Sequence, residues 1–161
     1  MPFQKTVNVK QALGQPGEWY DATPRRVTAY KLETIDSSIH SIGRVFTFDA
    51  SGKPQRGGTG AFAGILVHPK AYARLGLEPT TMLPQGINAE LADMGRLIVS
   101  STAAAAIGDG VQYDTTTGAI TGTAPANPGA GMAVIPGATF ILFAAEANGL
   151  AVIQLNGLVE G

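Results

Sequence analysis

The sequence predicts an all-β fold, a compact β-sandwich or small β-barrel of about eight to ten short strands with an extended N-terminal arm. Three observations predict it. Runs rich in β-branched and aromatic residues recur at short intervals, the gaps between them hold Gly, Pro, Asn and Asp, and no segment sustains a long helical period. The 161 residues suit one domain with a real core, since 45% are hydrophobic. Only 14% are charged, against roughly a quarter in ordinary soluble domains. Something other than charge must cover part of this surface.

The arm takes residues 1–26 and the β domain residues 27–161. In the arm the apolar period is weak and turn formers concentrate. Gln15-Pro16-Gly17-Glu18 spells a turn, because proline presets one φ and glycine supplies the positive φ that follows. Trp19 and Tyr20 come next, and aromatics on a polar arm pack either on a partner or on one end of the chain's own barrel. Phe3, Pro16, Gly17, Trp19, Tyr20, Arg25 and Arg26 are the candidate contact residues of the arm. The two arginines either meet a partner's carboxylates or stand as solvated charges at a strand start.

Beyond the arm, Val27–Leu32, Ile42–Phe48, Ala61–Val67, Gly95–Ser100, Val111–Tyr113, Ala138–Ala144 and Leu150–Leu155 read as strands. Asp49–Gly52 and Glu146–Gly149 read as turns, and Tyr113–Ile120 as a hairpin with Asp at its start and Gly at its end. Pro69–Leu75 is the one short helix, stopped by Gly76. Ala103–Ala106 is too short to nucleate a helix and is a loop or strand end. The segment from Ala124 to Gly131 is an exposed loop. No internal repeat or second-domain boundary is visible.

The chemistry-bearing residues argue against an enzyme. Cysteine is absent, so neither a disulfide nor a thiolate metal site exists. His40 and His68 stand without metal-ligand spacing, and no serine among Ser37, Ser38, Ser100 and Ser101 sits in a nucleophile motif. The carboxylates are scattered through turns, and one Trp with four Tyr is a thin supply for a carbohydrate cleft. Gly57-Gly58-Thr59-Gly60 could suggest a phosphate cradle, but a strand rather than a helix follows it. The loop reads instead as a bulged strand entry where another backbone comes close, and Arg56, Gly57, Gly58, Thr59 and Gly60 form a possible interface loop. No cofactor or metal is expected. A net charge of -1 with pI ≈ 6.1 offers phosphates no general attraction. The start lacks a secretory apolar region, and no stretch has the length of a membrane span, so neither nucleic acid nor membrane is an expected partner.

The order and spacing of several segments resemble the structural cement, or capsid decoration, proteins of tailed bacteriophages along nearly the whole chain. The segments are Gly14–Glu18 with Thr23–Arg26, Gly43–Phe48, Gly57–Val67 with His68-Pro69-Lys70, Ile107–Val111, the hairpin Tyr113–Ile120, and Gly149–Leu155. The resemblance implies a non-catalytic protein, made in the host cytoplasm, that binds the outer surface of the expanded capsid in the virion. There it would bridge and stabilise neighbouring copies of the major capsid protein, as a homo-oligomer for which the family favours a trimer. The alternative is a phage surface protein that binds a receptor or glycan, which needs an exposed aromatic-lined pocket. A hydrolase would need clustered carboxylates or a Ser–His pair in one cleft.

Overall fold

The computed structural model describes residues 13–32, 41–68, 86, 88–123, 128–143 and 145–157. Among them are nine strands and no helix: β1 (Arg26–Lys31), β2 (Val45–Phe48), β3 (Pro54–Arg56), β4 (Phe62–Leu66), β5 (Asn88–Ser101), β6 (Gly110–Asp114), β7 (Ile120–Thr123), β8 (Met132–Leu142) and β9 (Gly149–Asn156). The expected helix at Pro69–Leu75, His40, Phe3 and the Pro125–Asn127 part of the expected loop lie outside the described residues.

Of the two expected architectures, the barrel forms. Strands β5, β7, β6, β8 and β9 pair in that order, and β9 pairs back onto β5 from Met94↔Asn156 to Ser101↔Gly149. The ring of five is thereby closed, which removes free sheet edges from that part of the molecule. Its interior is filled by Val99, Val111, Ile120, Ile135, Phe140 and Ile153 among others, all buried.

The 14 residues of β5 serve two parts of one nine-stranded sheet. Its second half closes the barrel, while Leu91 and Ala92 pair with β4 on one side and β1 on the other. The extension β3-β2-β4 buries a second, smaller cluster around Phe46, Leu66 and Leu91. Strand β1 pairs only with β5 among the described residues, and its burial leaves every side chain but Tyr30 exposed. Tyr30 is fixed edge-on to Phe48, with ring centroids 5.5 Å apart. Apart from Tyr30, the six residues of β1 are exposed on both faces.

The turns follow their side chains. At the β6–β7 hairpin, Asp114 accepts the N–H groups of Thr116 (2.8 Å) and Thr117 (2.7 Å), replacing backbone partners that the bend removes. The Thr117 amide first of all, with Thr116 and Arg44 assisting, holds the Asp114 carboxyl below its usual range against desolvation. The Thr123 hydroxyl does the same for Asp109, and the Thr23 hydroxyl, aided by Arg96, for Asp21. Each carboxylate therefore binds its proton less readily in the native state than in the unfolded chain. Stability from these groups is complete above the unfolded-chain value, about pH 4, and is lost as pH falls through the lower native values. Thermal melts should be level from pH 7 to 5 and fall below about pH 4. Asp114→Asn, which keeps an acceptor oxygen, should remove part of that fall.

Candidate functional site

An extended chain alternates its side chains, and this decides the fates of the two adjacent aromatics. Residues 17–20 run beside β5. The Gly17 N–H donates to the Ile98 carbonyl (2.8 Å), the Ile98 N–H to Glu18 (2.9 Å) and the Tyr20 N–H to Arg96 (3.0 Å). Trp19 faces Leu97 in an antiparallel bridge. Trp19 points inward and packs against the barrel core. Its ring lies so close to Gly95 that a β-carbon there would stand 2.6 Å away, so only glycine permits this seat. The Arg25 guanidinium covers the ring, 5.1 Å from its centroid. Tyr20 points outward and is 37% exposed.

The polar residues of this segment are spent on the barrel. The Arg26 guanidinium forks onto Asp93, with Nε at 2.8 and 3.0 Å and Nη2 at 2.7 Å from its oxygens. Asp21 accepts from Arg96 Nη1 at 2.9 Å, and Arg96 Nε donates to Gln154 at 3.0 Å. The Pro16–Gly17 turn closes through the Glu18 N–H to the Gln15 carbonyl (3.1 Å), and the Gly17 carbonyl accepts the His68 N–H (3.2 Å). From Gly17 to Tyr20 the segment is bound to the chain's own wall.

The glycine loop is likewise tied down at one end. Gly57 (φ 66) is buried, and a β-carbon there would collide with the Thr115 carbonyl oxygen. The Gly58 N–H donates to Thr115 (2.6 Å), the Tyr113 hydroxyl to the Gly58 carbonyl (3.0 Å) and the Thr47 hydroxyl to the Gly57 carbonyl (2.5 Å). The close backbone is the chain's own hairpin. Thr59 and Gly60 are exposed, and Arg56 is half-buried.

One further residue stands beside Tyr20. Phe143 follows β8 with φ 56, a region that a bulky side chain rarely adopts and that costs about 1–3 kcal/mol. It is 51% exposed and meets Tyr20 edge-on, centroids 6.3 Å apart at 72°. Two residues further on, Ala145 bridges Ala105, whose N–H donates to the Ala145 carbonyl (3.0 Å). The same loop is pinned to Phe140 by the Gly108 N–H (2.7 Å) and carries Ile107, which is 60% exposed. Tyr20 and Phe143 thus form an exposed aromatic corner, and Ile107 is exposed on the loop whose Ala105 bridges Ala145. Ile107 before Gly108-Asp109-Gly110 is a bulky residue in a turn context, which is a usable sequence signal. Phe143 ends an apolar run like any core strand, and nothing local marks it as exposed.

Among the described residues no group of three or more His, Cys, Asp or Glu converges on one point. The comparisons place this barrel in a family. Residues 3–156 match the family model described as structural cement protein (E217 gp24/Pam3 gp6). The chain therefore belongs to the phage structural cement protein family, and its setting is the phage capsid. A chain of the capsid of Myoviridae Phage XM1 has the same fold, at TM-score 0.69 and 22% sequence identity, over 97% of this chain and 98% of that one. No match was found among curated proteins.

Proposed function

We propose that the protein is a non-catalytic cement that binds the outer surface of the expanded capsid and bridges neighbouring major capsid proteins. Membership of the structural cement family supports this reading. The observation that carries it into the molecule is the strained, exposed Phe143 held against Tyr20, because folding alone gives no reason to keep that conformation. Aromatics on a rigid frame are the residue type that dominates interface energies. Cementing acts by mass action: a ligand that binds only the expanded shell stabilises that state by its binding free energy, repeated over many symmetric copies.

The arm supplies the second contact, reaching a neighbouring subunit through strand-like backbone hydrogen bonds and Phe3. Strand β1, bare on both faces with an unpaired outer edge among the described residues, suits self-association of the domain into the trimer that the family resemblance favours. The lining of a cavity of about 290 Å³ between Pro16 and Ile120 contains no aromatic residue, so it gives the glycan-binding alternative no support.

The test is cosedimentation with expanded, undecorated heads. The intact chain should saturate at a fixed number of copies per head. Trp19 and Gly17 belong to the barrel wall, so the arm is best tested by deleting residues 2–12 rather than cutting at Pro24. That deletion should weaken binding about tenfold or more while leaving the melting temperature unchanged. Unchanged binding would remove the arm from the interface.

A further inference from the structure

We infer that residues 17–20 and β9 form a force clamp on the two edges of β5, which carries tension between the ends of the chain as shear. Its use in the particle, where the barrel passes load from one capsid subunit to the next, rests on the capsid reading above.

Strand direction carries the inference. Leu97 has two antiparallel partners, Trp19 and Ile153, and a strand residue holds one partner on each edge. Residues 17–20 and β9 therefore flank β5 on opposite edges and, both being antiparallel to it, run parallel to each other. Among the described residues the N-terminal segment first bonds β5 at Ile98, through Gly17, whereas β9 ends at Asn156 against Met94. Pulling the two ends apart drags each flanking strand lengthwise along β5, in opposite directions. All the hydrogen bonds on an edge are then loaded at once, while a pull across the strands opens the same bonds one after another. Rupture under force follows the unfolding barrier along the pulled direction, not the overall stability, so the direction of these strands decides it.

The N-terminal side is the shorter one and sets the strength of the clamp. Its bonds to β5 are those of the Gly17 N–H to Ile98 (2.8 Å), the Ile98 N–H to Glu18 (2.9 Å) and the Tyr20 N–H to Arg96 (3.0 Å), against a continuous register from Met94 to Ser101 on the β9 side. β9 is also held on its far edge by β8. The Trp19 ring secures the shorter side. It packs on the barrel core over Gly95, and a slip of one residue would turn it to the opposite face. Arg25 closes this seat, with its guanidinium 5.1 Å from the ring centroid and its β-carbon 3.0 Å from where a Gly95 β-carbon would stand. Met94 pairs with Arg26 as well as Asn156, so β1 continues along the same edge as residues 17–20, its first residue fastened by the Arg26–Asp93 fork.

The experiment has two arms on the full chain. The sequence has no cysteine, so a cysteine added at each end gives defined handles for single-molecule pulling. In the control the C-terminal handle is replaced by Ala147→Cys, in the exposed turn before β9, which lies at the Ser101 end of β5 and directs the pull across the strands. Rupture should need about twofold more force end to end than in the control, and Trp19→Phe should lower the first value and leave the second. Equal forces in the two directions overturn the clamp. A ratio that survives in Trp19→Phe overturns the ring as its lock. If Trp19→Phe fails to fold, Arg25→Gln carries the comparison. In the second arm, expanded heads decorated to equal occupancy with wild type or with the variant are broken by an indenting tip. Heads decorated with wild type should withstand the higher force. Equal breaking forces overturn the use of the clamp in the particle while leaving the clamp itself. A wild type that binds no heads overturns the cement reading, and that use with it.

Discussion

Combining Tyr20→Ser with Phe143→Gly is expected to weaken binding to expanded heads by about 10³-fold, since each residue at a hot spot is worth about 2 kcal/mol or more. The diagnostic part is what happens to stability. Phe143 sits at φ 56, so glycine there relieves about 1–3 kcal/mol of backbone strain. Against that gain stands the lost edge contact with Tyr20, worth about 0.5–1.5 kcal/mol. Phe143→Gly alone should therefore keep or raise the melting temperature while it lowers affinity. A residue maintained at the expense of its own fold is the signature of a functional contact. Cosedimentation and calorimetry on the two single variants and the double variant measure both sides. Full binding by the double variant would show that the corner faces solvent in the particle.

Gly57→Val should be the most damaging single substitution in the glycine loop, with a loss of more than about 4 kcal/mol and little soluble protein. Two costs coincide at this position. A β-branched residue at φ 66 is strained whatever space it has, and its β-carbon would strike the Thr115 carbonyl of the β6–β7 hairpin. The surrounding hydrogen bonds from Gly58, Thr47 and Tyr113 oppose relaxation, because moving the loop breaks all three. Gly129→Ala is the control, since its β-carbon meets nothing within 4 Å and should change stability by less than about 0.5 kcal/mol. Denaturant titrations of the two variants separate a loop that clamps the hairpin from one that is merely flexible.

These two sites show how far the sequence could be read. The β class was legible because burial imposes a period of two and turns demand Gly, Asp and Asn. Thus Asp49, Asp114 and Glu146 begin the turns they were expected to begin. The first half of β5, Asn88–Met94, was hidden by a composition of Ala, Leu, Glu and Met that favours helix. Pairing with β1 and β4 on its two sides overrides that propensity. The first half of β8 was hidden by Pro136 and Gly137, which the strand carries in a bulge. Between Val134 and Thr139, β8 advances five residues while β6 advances two.

At the candidate site, the sequence marked Trp19 and Tyr20 as a pair but could not divide their roles. Only the register against Leu97 turns one ring onto the core and leaves the other outside. Arg26 looked available for a partner because Asp93, 67 residues away, has no local relation to it. Phe143 was unreadable for the same kind of reason, since its exposure depends on a chain crossing at Ala105 that no short window contains.

The central claim is tested most directly by cryo-electron microscopy of expanded, undecorated heads incubated with the purified protein. The account predicts added density at regular lattice positions on the outer surface, with the Tyr20–Phe143 corner turned toward the shell and each copy touching more than one capsid subunit. Bare heads, or bound copies whose aromatic corner faces solvent, would contradict it.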